Sequence, residues 1–166
     1  MNRKIFIPII TLAAFLISFT SVNAQNIYNV KKFSFFAPYG WKLYDHDVDY
    51  LVITSKEEAF TLAFYIVENG KEETKLEALI QSLSKSYNFS EEITDHGGIE
   101  LDCNLNLTYK FADIFSKSDN TKNKFILAQA VRDEDYTILI FGICLIDKYN
   151  YYRDDLWKIF EQIDYK

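Results

Sequence analysis

The nine residues Phe33-Ser34-Phe35-Phe36-Ala37-Pro38-Tyr39-Gly40-Trp41 constrain this chain more than any other stretch. Phe33 and Phe35 alternate, as suits an extended strand with a buried face. Pro38 lacks the amide that a ladder needs and holds Ala37 extended, so the strand ends there. Gly40 can take backbone angles closed to other residues, and Trp41 restarts the apolar pattern. A strand that halts at proline, corners at glycine and resumes on tryptophan calls for a β-rich fold with a core deep enough for an indole.

The segment ahead of it is a separate object. Asn2-Arg3-Lys4 is a basic head, Ile5 to Phe19 is an apolar run, and Val22-Asn23-Ala24 places small residues before Gln25. That is the pattern of a secretory signal peptide over residues 1–24, cleaved after Ala24. The run is short for a spanning helix, and no cysteine follows it to accept a lipid. The expected product is a mature chain, residues 25–166, that forms one domain in the periplasm or outside the cell and has no integral membrane segment. Without Arg3 and Lys4, 16 of the 18 basic residues face 24 acidic ones, a net charge near −8. Nucleic acid needs a basic footprint, and none is visible.

The periodicity predicts the elements. Gln25 to Lys32 reads as a lead-in, Lys32–Ala37 as a strand, and Trp41–Tyr44 as its short continuation. Asp45-His46-Asp47-Val48-Asp49 reads as an acidic loop. Tyr50–Thr54 and Ala59–Val67 follow as strands, the second with Phe60, Leu62, Phe64 and Ile66 on one face. Asn69-Gly70 marks a turn. Thr74 with Glu77 forms a capping box for a helix whose stripe is Leu76, Leu79, Ile80, Leu83 and Tyr87. Phe89–Asp95 reads as a strand closed by a His96-Gly97-Gly98 turn. From Leu101 to Phe111 apolar and polar residues alternate strictly. Phe125–Val131 and Tyr136–Ile146 form a hairpin, and the second is apolar on both faces, so it belongs at the centre of the sheet. Gly142 within it implies a bulge or close packing against a helix. The last helix, capped by Asp147, carries Tyr149, Tyr152, Leu156, Ile159, Phe160 and Ile163, with Trp157 at the border. The order of strands and helices gives an α+β fold: a mostly antiparallel sheet of about six strands flanked by two main helices.

Chemistry is harder to find. Asp45, Asp47 and Asp49 alternate like the opening of a calcium loop, but the glycine and glutamate that such a loop needs are replaced by Tyr50 and Lys56. They remain the candidate metal ligands. His96 at a turn could serve as a base, yet no nucleophile elbow accompanies it. Cys103 and Cys144 are too far apart in sequence for a zinc pair; they are candidates for a disulfide in an oxidising compartment, or for two buried thiols. Five glycines form no phosphate cradle. Aromatic residues make up 17% of the chain, enough to supply a core and a contact surface besides. Tyr149, Tyr151 and Tyr152 are the candidate binding face.

Phe33, Phe35, Pro38, Gly40 and Trp41 together resemble the opening strand and turn of the PsbP/DcrB-type domains. The predicted element order agrees along the whole mature chain. The resemblance implies an antiparallel sheet between helices, in a family whose members are mostly non-enzymatic: an extrinsic photosystem subunit, a Ran-binding nuclear relative, and bacterial envelope proteins. Its shared residues are structural and bring no catalytic set or cofactor with them. The expectation is an exported, non-catalytic domain that binds a protein or an envelope component. A small apolar-ligand carrier and a metal-dependent hydrolase are the alternatives.

Overall fold

The computed structural model describes residues 26–101, 105–131 and 136–165. The signal segment and Cys103 lie outside the described residues. Among the described residues ten strands and two helices follow in chain order: β1 (Asn26–Val30), β2 (Phe33–Ala37), β3 (Trp41–His46), β4 (Tyr50–Ser55), β5 (Phe60–Glu68), α1 (Glu72–Ser84), β6 (Tyr87–Glu100), β7 (Asn106–Ser116), β8 (Lys122–Val131), β9 (Tyr136–Leu145), α2 (Tyr149–Glu161) and β10 (Asp164–Tyr165).

They build two sheets, with ten strands in place of the six expected. The larger sheet runs β3-β4-β5-β9-β8-β7-β6, and the smaller runs β1-β2-β10. Every described pairing is antiparallel. Two of the extra strands are the lead-in, which pairs with β2 as β1, and the two residues of β10 on the other side of β2. Neither segment carries enough alternation to be seen in sequence alone.

The large sheet is covered on both faces, as an apolar β9 at its centre requires. On one face Phe60, Leu62, Phe64 and Ile66 of β5 join Ile138 and Ile140 of β9 beneath Leu156, Ile159 and Phe160 of α2. Phe33 and Phe35 of the small sheet enter the same cluster. On the other face Val67, Ile114, Phe125, Leu139 and Phe141 meet Leu76, Leu79, Ile80 and Leu83 of α1. Helix α2 buries Tyr152, Leu156, Ile159 and Phe160, whereas α1 has no fully buried residue.

The helix starts differ from expectation. Helix α1 begins after Lys71, two residues before Thr74, and no side chain caps it through a hydrogen bond. The carboxylate of Glu72 takes over: Oε2 accepts the Gly70 amide at 2.6 Å, and Oε1 lies 3.1 Å from the Thr137 hydroxyl on β9. That anchor fixes the first turn to the sheet and overrides the capping box. Helix α2 begins after Lys148 with no side-chain cap from Asp147; the Lys148 carbonyl already accepts from Tyr151 and Tyr152.

His96-Gly97-Gly98 is not a turn. All three lie inside β6, paired with Lys110, Tyr109 and Thr108. A Cβ on Gly97 would stand 2.5 Å from the Tyr109 hydroxyl, so glycine here makes room for a ring lying across the strand. The strand expected from Leu101 therefore starts later, at Asn106, and its buried positions Leu107 and Phe111 keep the predicted alternation. Gly142 has the same kind of role. A Cβ there would meet Ile126 and Leu62 at 2.8 Å, so neighbouring strands, neither a helix nor a bulge, demand it.

Candidate functional site

The Phe33–Trp41 stretch is a structural corner. The Trp41 amide donates to the Pro38 carbonyl at 3.1 Å, and Gly40 sits at φ +90°, so the turn needs a residue free of a Cβ. Trp41 is 3% exposed, stacked edge-on against Phe60 and Tyr152 at 5.3 and 5.9 Å. Its indole N–H donates to Asp155 Oδ2 at 3.0 Å.

Beyond that corner the chain turns its apolar side chains outward. Strand β3 is an edge of the large sheet, and every residue after Trp41 in it is exposed. The register with β4 shifts between Leu43 and Asp45, which leaves Tyr44 as a bulge. Tyr39 is 76% exposed, Tyr44 68% and Val48 75%, with Leu43 also exposed. Four exposed apolar side chains thus fall within residues 39–48, in or next to a strand whose edge is open. The sequence ends the strand at Tyr44 and reads Asp45–Asp49 as an acidic loop with candidate metal ligands, and periodicity there gives no sign that these four side chains are exposed along an edge strand.

The tyrosines of α2 do not form the expected face. Tyr152 is buried at 6%, Tyr149 is half-buried over Phe111, and Tyr151 alone points to solvent. Periodicity is the reason: Tyr149, Tyr152 and Leu156 share the core-facing stripe, and Tyr151 falls off it.

The aspartates of 45–49 are used locally. Asp45 accepts from the His46 amide and from the Tyr50 hydroxyl at 2.9 Å each, and Asp47 accepts from the Val48 amide at 2.8 Å. The Tyr50 hydroxyl is held above its ordinary value first by that hydrogen bond to Asp45. Among the described residues no three His, Cys, Asp or Glu side chains gather into a metal cluster.

Cys144 is a free, fully buried thiol that donates to the Leu145 carbonyl at 3.4 Å. Burial first, then Asp147, pushes it up to about 12, so it is no nucleophile at neutral pH. It lies beside Phe60 and Lys124 at one end of β9. Cys103, the other half of the candidate disulfide, lies outside the described residues. Cys144 is free here, so alkylation of the unfolded, unreduced protein is expected to label it; a chain that takes up no label would restore the bond.

One lysine cluster is structural. Asp113 is clamped by Lys122 and Lys124 at 2.6 and 2.5 Å. Burial raises its carboxyl, and the two lysines more than offset that, leaving it below the ordinary range. Two clefts flank α1. One, of about 440 Å³, interleaves Lys31, Lys71 and Lys75 with Asp49 and Glu68 around the Tyr65 ring. The other, of about 340 Å³, lies over β6, β7 and β8. No helix among the described residues is long and apolar enough to cross a membrane.

No family model and no curated protein matches the sequence. Solved structures do. The solution structure of cyanobacterial PsbP (CyanoP) from Synechocystis sp. PCC 6803 superposes with a TM-score of 0.61 at 11% identity, covering 89% of this chain and 96% of that one. A crystal structure of a Pseudomonas aeruginosa protein of unknown function gives 0.41 at 7% identity, over 86% and 97%. The first match takes in most of both chains, and at this identity it speaks for the fold alone: the chain has the PsbP-like fold.

Proposed function

We propose that the chain is an exported, non-catalytic module that binds a protein or cell-envelope component through the β3 edge. The exposure of Tyr39, Leu43, Tyr44 and Val48 in and beside this edge strand carries this reading. An edge strand offers unpaired backbone groups to a partner, and large apolar side chains along it add affinity when covered. Tyrosine is well suited, since it supplies rigid amphipathic area at small entropic cost. Asp45, Asp47 and Asp49 follow Tyr44 in the same stretch and favour a partner with complementary positive charge. The export reading rests on the signal pattern of residues 1–24.

Affinity purification from an envelope extract tests it, with the wild-type chain beside a Tyr44→Lys/Val48→Lys variant. Both positions face solvent, so stability should change by less than about 0.5 kcal/mol for each. A partner recovered with the wild type should fall at least about tenfold with the variant. Equal recovery by both proteins, or none above background in any growth state, would overturn the proposal.

A further inference from the structure

We infer that the cleft over β6, β7 and β8 is a binding site for a small amphipathic carboxylate, a molecule with one anionic head and a short apolar body. It is remote from the β3 edge, at the opposite side of the sheet, and goes beyond the binding role proposed above. Three observations converge on it.

The first is the charge of its walls. Ten residues line the cleft, and among them are Lys110 and His96 and no acid. That is unusual in a chain whose formal charge is −6, and it contrasts with the cleft on the other flank of α1, where acids and lysines alternate. The second is the pairing. His96 and Lys110 are direct cross-strand partners, so their Cβ atoms stand about 4.5–5.5 Å apart on one face of the sheet. Among the described residues neither side chain has an ion pair or a hydrogen bond. Two basic groups set side by side repel when both are charged, and an anion between them removes the repulsion. Lys110 supplies an ammonium, and His96 can donate an N–H in either protonation state.

The third is the floor. Leu76 of α1, Leu127 of β8 and Leu139 of β9 form an apolar base beside the basic pair. Thr108 and Gln129 add a hydroxyl and an amide at the rim. An apolar floor with a few convergent polar groups is the make-up of a small-molecule site, and about 340 Å³ falls within the range such sites occupy. The head group would sit between His96 and Lys110 and the body would lie against the leucines.

The test is a titration of the purified protein followed by NMR, with octanoate as probe and octanol and octylamine as controls of the same chain length. Octanoate should shift the His96 ring signals and the Leu127 and Leu139 methyls saturably. Octanol should bind at least about tenfold more weakly, because it lacks the charge-assisted contacts, and octylamine weaker still. Lys110 is exposed, so a Lys110→Glu variant should fold with an unchanged melting temperature and weaken octanoate by at least about tenfold. Equal affinity for octanol and octanoate, shifts that map elsewhere, unaltered binding by the variant, or no binding at all would each overturn the site. None of these results bears on the β3 edge, whose own variant leaves this cleft intact.

Discussion

Replacing Trp41 with alanine is expected to destabilise the fold by about 3–5 kcal/mol, the range for truncating a buried aromatic. The indole is 3% exposed and touches both halves of its surroundings: Phe60 from the large sheet and Tyr152 from α2. Its removal opens a cavity where the β2–β3 corner, the sheet and the helix meet, and none of the three can close over it without moving another. A Trp41→Phe variant separates packing from hydrogen bonding. It keeps a ring and loses the N–H that Asp155 accepts at 3.0 Å, so it should cost only about 1 kcal/mol beyond the lost volume. Denaturant unfolding measures both. A Trp41→Ala protein as stable as the wild type would show that the corner carries no packing and that its aromatics are free for another use.

The second large effect is expected at Phe35, where alanine should also cost about 3–5 kcal/mol. Phe35 is fully buried, 4.7 Å from the Phe64 ring and 6.5 Å from that of Phe33. Phe64 belongs to β5, so this contact is where the three-stranded sheet grips the seven-stranded one. The loss should therefore be uneven. Amides of β1, β2 and β10 should lose protection from hydrogen exchange well before those of β8 and β9, because the small sheet comes away first. A loss of less than about 1 kcal/mol, or an even loss of protection across both sheets, would show that other residues hold the sheets together.

Much of this architecture is legible in the sequence where burial writes a short period. The alternation of Phe60, Leu62, Phe64 and Ile66 gives β5 and its buried face, and the doubly apolar Tyr136–Ile146 gives the central strand. The Pro38-x-Gly40-Trp41 ending gives the corner, since each residue type there answers a local backbone demand. What fails is what depends on distant neighbours. Gly97-Gly98 looks like a turn until Tyr109, far along the chain, is laid across it. Thr74 is a sound cap in isolation, and Glu72 wins because Thr137 on β9 is within reach. The candidate faces suffer for the same reason. Tyr152 vanishes into the core through its contact with Trp41, and Tyr44 is turned outward by a bulge whose signal is a register, not a residue type. His96 reads in the sequence as a lone imidazole at a turn; its pairing with Lys110 depends on β6 running straight through the glycines.

The order of strands in the large sheet has a consequence for how the chain must assemble. It consists of two meanders, β3-β4-β5 and β6-β7-β8-β9, each built from strands adjacent in sequence, joined along the single β5–β9 ladder from Phe60–Cys144 to Glu68–Tyr136. Each hairpin closes a short loop at small entropic cost, whereas the β5–β9 ladder closes a loop containing α1 and three strands. That one junction carries most of the non-local ordering of the sheet and sets the topological penalty on its folding rate. Gly142 sits within it, opposite Leu62, at a point where a Cβ would strike both neighbouring strands. The glycine at the centre of the sheet is thus a condition for joining its two halves, and a bulkier residue there would hinder the step in which the local meanders become one fold.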